Sequence, residues 1–233
     1  MLVSFISPIF FLTAMGIGIG SLVNKNSGGV GGFSYRDFIA PGLLAATAMQ
    51  TAAVEMTYPI MAKVVWWQTY DAILATPLQV RDLVLGELTW ITARVGLVCV
   101  IFFAVMEVVG ATHSALAPLA IGAGTLTGVA FAAPIMAFSA SQRGDTGFAA
   151  LTRFVITPLF LFGGTFFPLD RLPIALQGVA WLTPLAHGVA LSRGLALGRI
   201  SAAKALLHVV VPLVYVAVGT VVAYIMLRRR LVA

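Results

Sequence analysis

The chain has 233 residues, of which 60% are hydrophobic and only 9% are charged, and its mean hydropathy is +1.02. A soluble domain is about 25% charged, so this composition excludes an ordinary soluble globule and indicates a membrane protein. The net charge of +6 is therefore interpreted as membrane topology and contact with anionic lipid, and not as nucleic-acid binding.

Long apolar stretches predict an all-α membrane protein with six transmembrane helices in one domain over residues 1–233. Lipid offers the backbone no hydrogen-bond partners, so apolar helices of about 20 residues are the structures that cross it. The first stretch is interpreted as a retained span, because residues 1–24 lack the basic start of a signal peptide. The predicted spans are 2–23, 38–60, 83–109, 116–139, 148–167 and 205–227.

Orientation in the membrane is predicted from the basic residues. Arg228, Arg229 and Arg230 follow the last apolar stretch directly, and such clusters stay on the cytoplasmic side. Six spans then place both termini in the cytoplasm of a bacterial inner membrane. The remaining lysines and arginines do not favour either side, so the terminal cluster decides this prediction.

The segment 64–78 is predicted to form a short amphipathic helix on the cytoplasmic membrane surface. Thr76 and Pro77 end it, since proline disfavours helix at the preceding residue. Two interpretations remain open, a connector lying on lipid and a docking helix for a cytoplasmic protein. The apolar residues at one helical face are Trp66, Tyr70, Ile73 and Leu74.

The segment 169–200 is too short and too interrupted to cross the membrane and return as two spans. It breaks at Thr183 and Pro184 and resumes with His187 and Arg193. Because broken backbone at membrane depth needs cover from protein or water, the segment is predicted to be a re-entrant or surface-lying helical pair on the outer face.

Ionisable residues within the predicted spans are costly and are candidate functional residues. They could contact cargo, but an ion pair between two helices is the favoured interpretation, and Glu87 and Glu107 could also lie at span ends. Glu87 and Arg94 are seven residues apart, on one face of a helix. The candidates are Glu55, Glu87, Arg94, Glu107 and Arg153.

Catalytic motifs are absent from the sequence: it contains no HExxH, GxSxG or GxxxxGK[ST] pattern and no paired metal-ligand spacing. The sequence therefore predicts neither a catalytic site nor a metal site, and any ATP hydrolysis requires another chain. An ATP-independent channel, a secondary carrier and a structural membrane protein remain alternatives to an ATP-driven transporter.

Four segments, in order, resemble the type-2 ABC transporter permeases. The resemblance is closest to the branch that includes nodulation-factor exporters and daunorubicin-type drug exporters. The segments are FIAPG at 38–42, YDAILATPL at 70–78 with DLVLGE at 82–87, PLFLFGGTFFPLD at 158–170, and LTPLAH at 182–187 with Arg193 and Gly194.

This resemblance implies a half-size transmembrane subunit that is not itself an enzyme. Two such subunits, alike or different, would pair with two copies of a separate ATP-binding subunit that holds the ATP and magnesium. The complex would export a lipophilic or amphipathic drug, glycolipid or saccharide-linked lipid. The helix over 64–78 would be the coupling helix, with docking residues Trp66, Trp67, Tyr70, Asp71, Ile73, Leu74, Thr76 and Pro77.

Overall fold

The computed structural model describes residue 10 and residues 12–232, and this part of the chain is nearly all helical. This part of the chain contains no β-strand, only an isolated bridge between Val30 and Phe33, which confirms the predicted all-α class there. The predicted span 2–23 lies partly outside the described residues. Its described part includes a π-helical turn, Ala14–Ile19, followed by α1, Gly20–Ser27.

The remaining helices follow α1 in chain order. Short π-helical turns at Ala62–Trp66 and Thr152–Ile156 extend two of them, and a 3-10 turn covers Leu169–Arg171. The α-helices are α2 (Tyr35–Met56), α3 (Tyr58–Met61), α4 (Thr69–Leu74), α5 (Val80–Val109), α6 (Leu119–Ser141), α7 (Thr146–Leu151), α8 (Thr157–Phe162), α9 (Ile174–Leu182), α10 (Pro184–Leu197) and α11 (Ala202–Leu231).

Helix α6 lies at the centre of the bundle and packs against α2, α5, α10 and α11. Two of its glycines face neighbouring helices at close range. A Cβ atom on Gly124 would lie 2.2 Å from Leu44, and one on Gly128 would lie 2.6 Å from Val95. Small residues at these positions let α2 and α5 approach α6 closely, as is common between membrane helices.

Three helices in the described part of the chain, α5, α6 and α11, are long and apolar enough to cross a membrane. The pair α9 and α10 meets at an angle of 86° and would add a fourth span if it crossed as one unit. The continuous stretch Thr146–Phe162 is apolar but shorter. Six spans and a re-entrant outer segment therefore stay predictions.

The second predicted span, 38–60, is not one uninterrupted helix. Helix α2 ends at Met56, and Thr57 leaves the helical conformation with φ −97° and ψ −96°. Pro59 accounts for the break, because it lacks the backbone N–H that would bond the carbonyl of Glu55 in a continuous helix, and its ring would clash with that carbonyl. The Thr57 hydroxyl donates to the carbonyl of Ala53 at 2.9 Å, which satisfies one carbonyl of the last turn.

The fifth predicted span, 148–167, also ends early, at Phe162. Gly163 and Gly164 follow, and Gly164 has a φ of 84° that an L side chain rarely adopts. A Cβ atom on Gly163 would lie 2.5 Å from Leu185 of α10. The two glycines thus turn the chain where α10 packs against it.

The bundle has two distinct ends. At one, here called the Asp37 end, the start of α2 meets the loop after α5: His113 Nε2 lies 3.0 Å from Asp37 Oδ2, and Arg36 donates to the carbonyl of Gly110 at 3.4 Å. At the other, the Arg230 end, Arg230 of α11 donates to the carbonyl of Ala140 in α6 at 2.8 Å. Because α2 and α5 run between these ends, α4 lies at the Arg230 end.

Candidate functional site

The loop between α3 and α5 contains α4 and is the candidate docking site. The turn Ala62–Trp66 continues α3, and the chain changes direction at Gln68, whose φ of 49° is left-handed. Helix α4 ends where the Thr76 hydroxyl donates to the carbonyl of Ile73 at 2.6 Å and Pro77 follows.

The prediction of a single helix over 64–78 is wrong. Trp66 and Trp67 precede the left-handed residue Gln68, and only Thr69–Leu74 forms α4. A left-handed residue redirects the chain, so the helical spacing that joined Trp66 to the residues after it does not describe one face. Left-handed backbone is uncommon for a residue other than glycine, and the sequence carried no signal for it here.

One side of α4 is anchored to the helical core. Tyr70 is 1% exposed, and Ile73 and Leu74 are partly buried against the same core. Burial, and then the nearby negative charge of Glu87, raise the pKa of Tyr70, so its hydroxyl stays neutral. Of the predicted docking residues, Tyr70 is thus out of reach of a partner, and Ile73 and Leu74 hold α4 in place.

The other side of the loop is open and presents the remaining predicted docking residues. Trp67 is 70% exposed and Trp66 is 57% exposed, an unusual exposure for side chains of this size. We call this surface the exposed loop face. Its members are Trp66, Trp67, Asp71, Thr76 and Pro77.

Two ion pairs connect α5 to the start of the loop and to α2. Lys63 Nζ lies 2.5 Å from Glu87 Oε1, and Arg94 Nη2 lies 2.9 Å from Glu55 Oε1. Glu87 and Arg94 share one face of α5, as their spacing indicated, but each forms its ion pair with a residue outside α5. Three of the charges predicted to lie in the membrane are therefore neutralised within the chain, and one of their partners, Lys63, lies between two predicted spans.

Breaking the Glu55–Arg94 pair is expected to be costly unless both charges are removed. In Glu55→Gln or Arg94→Gln the remaining partly buried charge is unpaired, whereas the double variant leaves none. We expect a coupling free energy of about 1 to 3 kcal/mol between the two sites, measured by thermal unfolding of the four proteins in detergent. Additive effects of the two substitutions would show that the pair does not join α2 to α5.

Arg153 and Glu107 differ from these paired residues. Both side chains are exposed, and neither has an ion-pair partner in the part of the chain that the structure describes. Arg153 lies in the turn Thr152–Ile156 beside Phe154, which is 73% exposed. It is therefore accessible to a partner outside this chain.

Arg193 of α10 joins three segments near the Asp37 end. Its Nε donates to the carbonyl of Phe38 at 2.9 Å, and its Nη2 donates to the carbonyls of Gly164 at 2.8 Å and Thr165 at 3.3 Å. The guanidinium also lies 3.7 Å from the centre of the Phe38 ring. Arg193 thus links α2, the glycine turn after α8, and α10.

A second polar contact of α10 joins two histidines on different helices. Pro184 starts α10 and is buried, and His187 Nδ1 lies 2.9 Å from His208 Nδ1 of α11. His187 Nε2 lies 2.9 Å from the carbonyl of Trp181, whose ring stacks on His208. Their separation of 21 residues across a bend gives no pattern that one sequence reveals.

The described residues therefore provide a rigid, anchored loop at one end and a tightly packed polar segment at the other. Across residues 10 and 12–232, no group of three or more histidine, cysteine, aspartate or glutamate side chains is arranged to hold a metal ion. The carboxylate, hydroxyl and indole groups of the exposed loop face form no catalytic arrangement.

Comparison with known proteins identifies the family. The sequence profile of the ABC-2 type transporters matches residues 1–197. The chain belongs to the ABC-2 type transporter family. This confirms the resemblance found in the sequence and makes the chain a multi-pass membrane protein of transport, which implies association with an ATP-binding subunit.

Individual relatives of this ABC-2 type chain are similar along most of their length. Nodulation protein J of Rhizobium leguminosarum bv. viciae is 34% identical over 224 residues, which cover 96% of this chain and 85% of the relative. Nodulation protein J of Bradyrhizobium diazoefficiens is also 34% identical, over 96% of this chain and 84% of its own. The inner membrane transport permease YadH of Escherichia coli is 25% identical, over 78% and 71%.

Proposed function

We propose that this chain is the transmembrane subunit of an exporter powered by ATP hydrolysis on a separate ATP-binding subunit. The observation that carries the proposal is the exposed loop face, a surface with two exposed tryptophans on a segment that Tyr70 anchors to the core. Exposed aromatic residues of this kind are enriched where proteins bind one another. ATP and magnesium would be bound by the partner.

The proposed assembly contains two permease subunits, identical or different, and two ATP-binding subunits in a bacterial inner membrane. Each permease would have six spans and both termini in the cytoplasm, with the Arg230 end of the bundle on that side. The positions of α4 and of the outer helical pair support this orientation, because they lie toward opposite ends of α2.

Movement at the loop would reach the membrane through short, stiff connections. The Lys63–Glu87 pair and the buried Tyr70 ring fix the loop to α5 and the core. The Glu55–Arg94 pair then fixes α5 to α2. When ATP binding draws the partner subunits together, their displacement of α4 would shift α2 and α5 as a rigid unit.

The proposed cargo is a lipophilic or amphipathic molecule, such as a drug, a glycolipid or a saccharide-linked lipid. The charges on the described part of the helices support this choice, since Glu55, Glu87 and Arg94 are used in ion pairs and are not free to bind an ion.

Reconstitution tests the proposal. The purified chain is expected to hydrolyse no ATP, whereas proteoliposomes with its cognate ATP-binding subunit should hydrolyse ATP and move a fluorescent lipid across the bilayer only when ATP is present. A partner variant that lacks its catalytic carboxylate serves as the control. Flux that persists without nucleotide would support a channel or secondary carrier instead.

A further inference from the structure

An apolar groove of about 610 Å³ runs between α6 and α11. The two helices touch where Gly219 meets Pro134: a Cβ atom on Gly219 would lie 2.6 Å from the proline Cδ. Beside this contact the groove is lined by Phe138 of α6 and by Val218 and Val222 of α11. Val218 is 57% exposed, so the groove opens to the surface of the bundle.

The groove ends beside a cluster of arginines. Ser141 and Met226 line it near the Arg230 end, and Arg143 and Arg229 follow them closely in the chain. In α11, Arg229 is seven residues after Val222, so it lies on the same side of the helix. Both Arg143 and Arg229 are exposed.

The other charged groups at this end leave the cluster strongly positive. Arg230 is engaged by the carbonyls of Ala140 and Gln142, and Arg228 points about 100° away from Arg229 on the helix. Asp145 is the one carboxylate in the connection between α6 and α7. Among the residues that the structure describes at this end, Arg143 and Arg229 therefore remain as free cations on the groove side.

The groove is as long as one leaflet of a bilayer is deep. Its lining in α11 runs from Val214 to Met226, and these positions are 12 helical steps apart, which is about 18 Å of helix. Half of the hydrocarbon core is about 15 Å. An apolar groove of this length, with cations at one end, has the length and charge to hold a single acyl chain attached to an anionic headgroup.

We propose that this groove is a binding site for an anionic phospholipid of the leaflet at the Arg230 end. One acyl chain lies along Phe138, Val218 and Val222, and the headgroup phosphate contacts Arg143 and Arg229. Charge complementarity selects this occupant, because a zwitterionic lipid would bring a cationic group of its own beside the two arginines, and an apolar helix would use neither of them. The site is independent of the transported cargo, and it would persist if the export proposal failed.

Native mass spectrometry of the full chain tests this site. The protein in detergent is titrated with dioleoyl phosphatidylglycerol or with dioleoyl phosphatidylethanolamine, which have the same acyl chains. We expect at least fivefold stronger retention of phosphatidylglycerol. Val218→Phe fills the groove and Arg229→Gln removes a headgroup contact, so each should reduce this preference at least fivefold.

Each variant has a matched control on the same helix. Val221 is as exposed as Val218, at 57%, but does not line the groove, and Arg228 is exposed but faces away. Val221→Phe and Arg228→Gln should therefore retain the preference. Equal retention of the two lipids by the unaltered chain, equal effects within each matched pair, or a dimer that Val218→Phe dissociates would overturn the proposal.

Discussion

Asp71→Arg is expected to reduce transport-linked ATP hydrolysis by the complex at least tenfold, without changing the amount of protein in the membrane. Asp71 is exposed on α4, so the substitution leaves the anchoring of Tyr70 unchanged. A reversed charge on a bulky side chain would be unpaired within the proposed interface, where such mismatches cost several kcal/mol. Hydrolysis is measured with the cognate ATP-binding subunit in proteoliposomes.

Asp145→Arg is the matched control for this substitution. Asp145 is also an exposed aspartate at the Arg230 end, but it precedes α7 and lies outside the exposed loop face. Its variant should hydrolyse ATP within twofold of the unaltered complex. Ile73→Asp would be a poorer test, since Ile73 packs against the core and its loss would unfold the loop. Normal transport-linked ATP hydrolysis by the Asp71→Arg complex would show that α4 is not part of the interface.

Arg193→Met is expected to destabilise the protein by about 3 kcal/mol or more. The substitution removes the guanidinium donor from the carbonyls of Phe38, Gly164 and Thr165, and each buried group left unsatisfied costs about 1 to 3 kcal/mol. For a chain of this size the melting temperature should fall by about 6 to 12 °C. Thermal unfolding of the purified protein in detergent measures the change.

Two control variants separate the geometry of Arg193 from its charge. Arg193→Lys keeps the charge but cannot reproduce the planar arrangement of donors on the guanidinium. Its melting temperature should therefore lie between those of the unaltered protein and Arg193→Met. Arg199→Met removes an exposed arginine that donates to the carbonyl of Gly31 at 2.8 Å. This substitution should lower the free energy of unfolding by about 1 kcal/mol. A melting temperature of Arg193→Met equal to that of Arg199→Met would contradict the linking role.

The long apolar helices were the most predictable part of the fold. Predicted spans 83–109, 116–139 and 205–227 correspond to α5, α6 and α11, whose ends lie within four residues of those limits. Their apolar runs are longer than a buried strand requires, and each run ends at polar or basic residues. Where proline or paired glycines interrupt an apolar run, as at Pro59 and Gly163, composition alone extended the helix across the break.

The candidate site was predictable in its position but not in its geometry. The motif over 70–78 located the loop, but the side that faces the core depends on Gln68, whose left-handed conformation no local pattern indicated. The partners of Lys63 and His187 were also missed, because Glu87 and His208 lie 24 and 21 residues further along the chain. Tertiary packing creates such pairs, and helical periodicity within one element does not reveal them.

Cross-linking from the exposed loop face tests the docking claim most directly. Thr76→Cys is introduced into a Cys99→Ala background, which removes the one native cysteine. Asp170→Cys, in the segment proposed to lie on the outer face, serves as the control. We expect Thr76→Cys to cross-link to the ATP-binding subunit in membranes and to resist a membrane-impermeant maleimide added outside intact cells, while Asp170→Cys reacts with that maleimide. Labelling of Thr76→Cys from outside, with no cross-link to the subunit, would contradict the account.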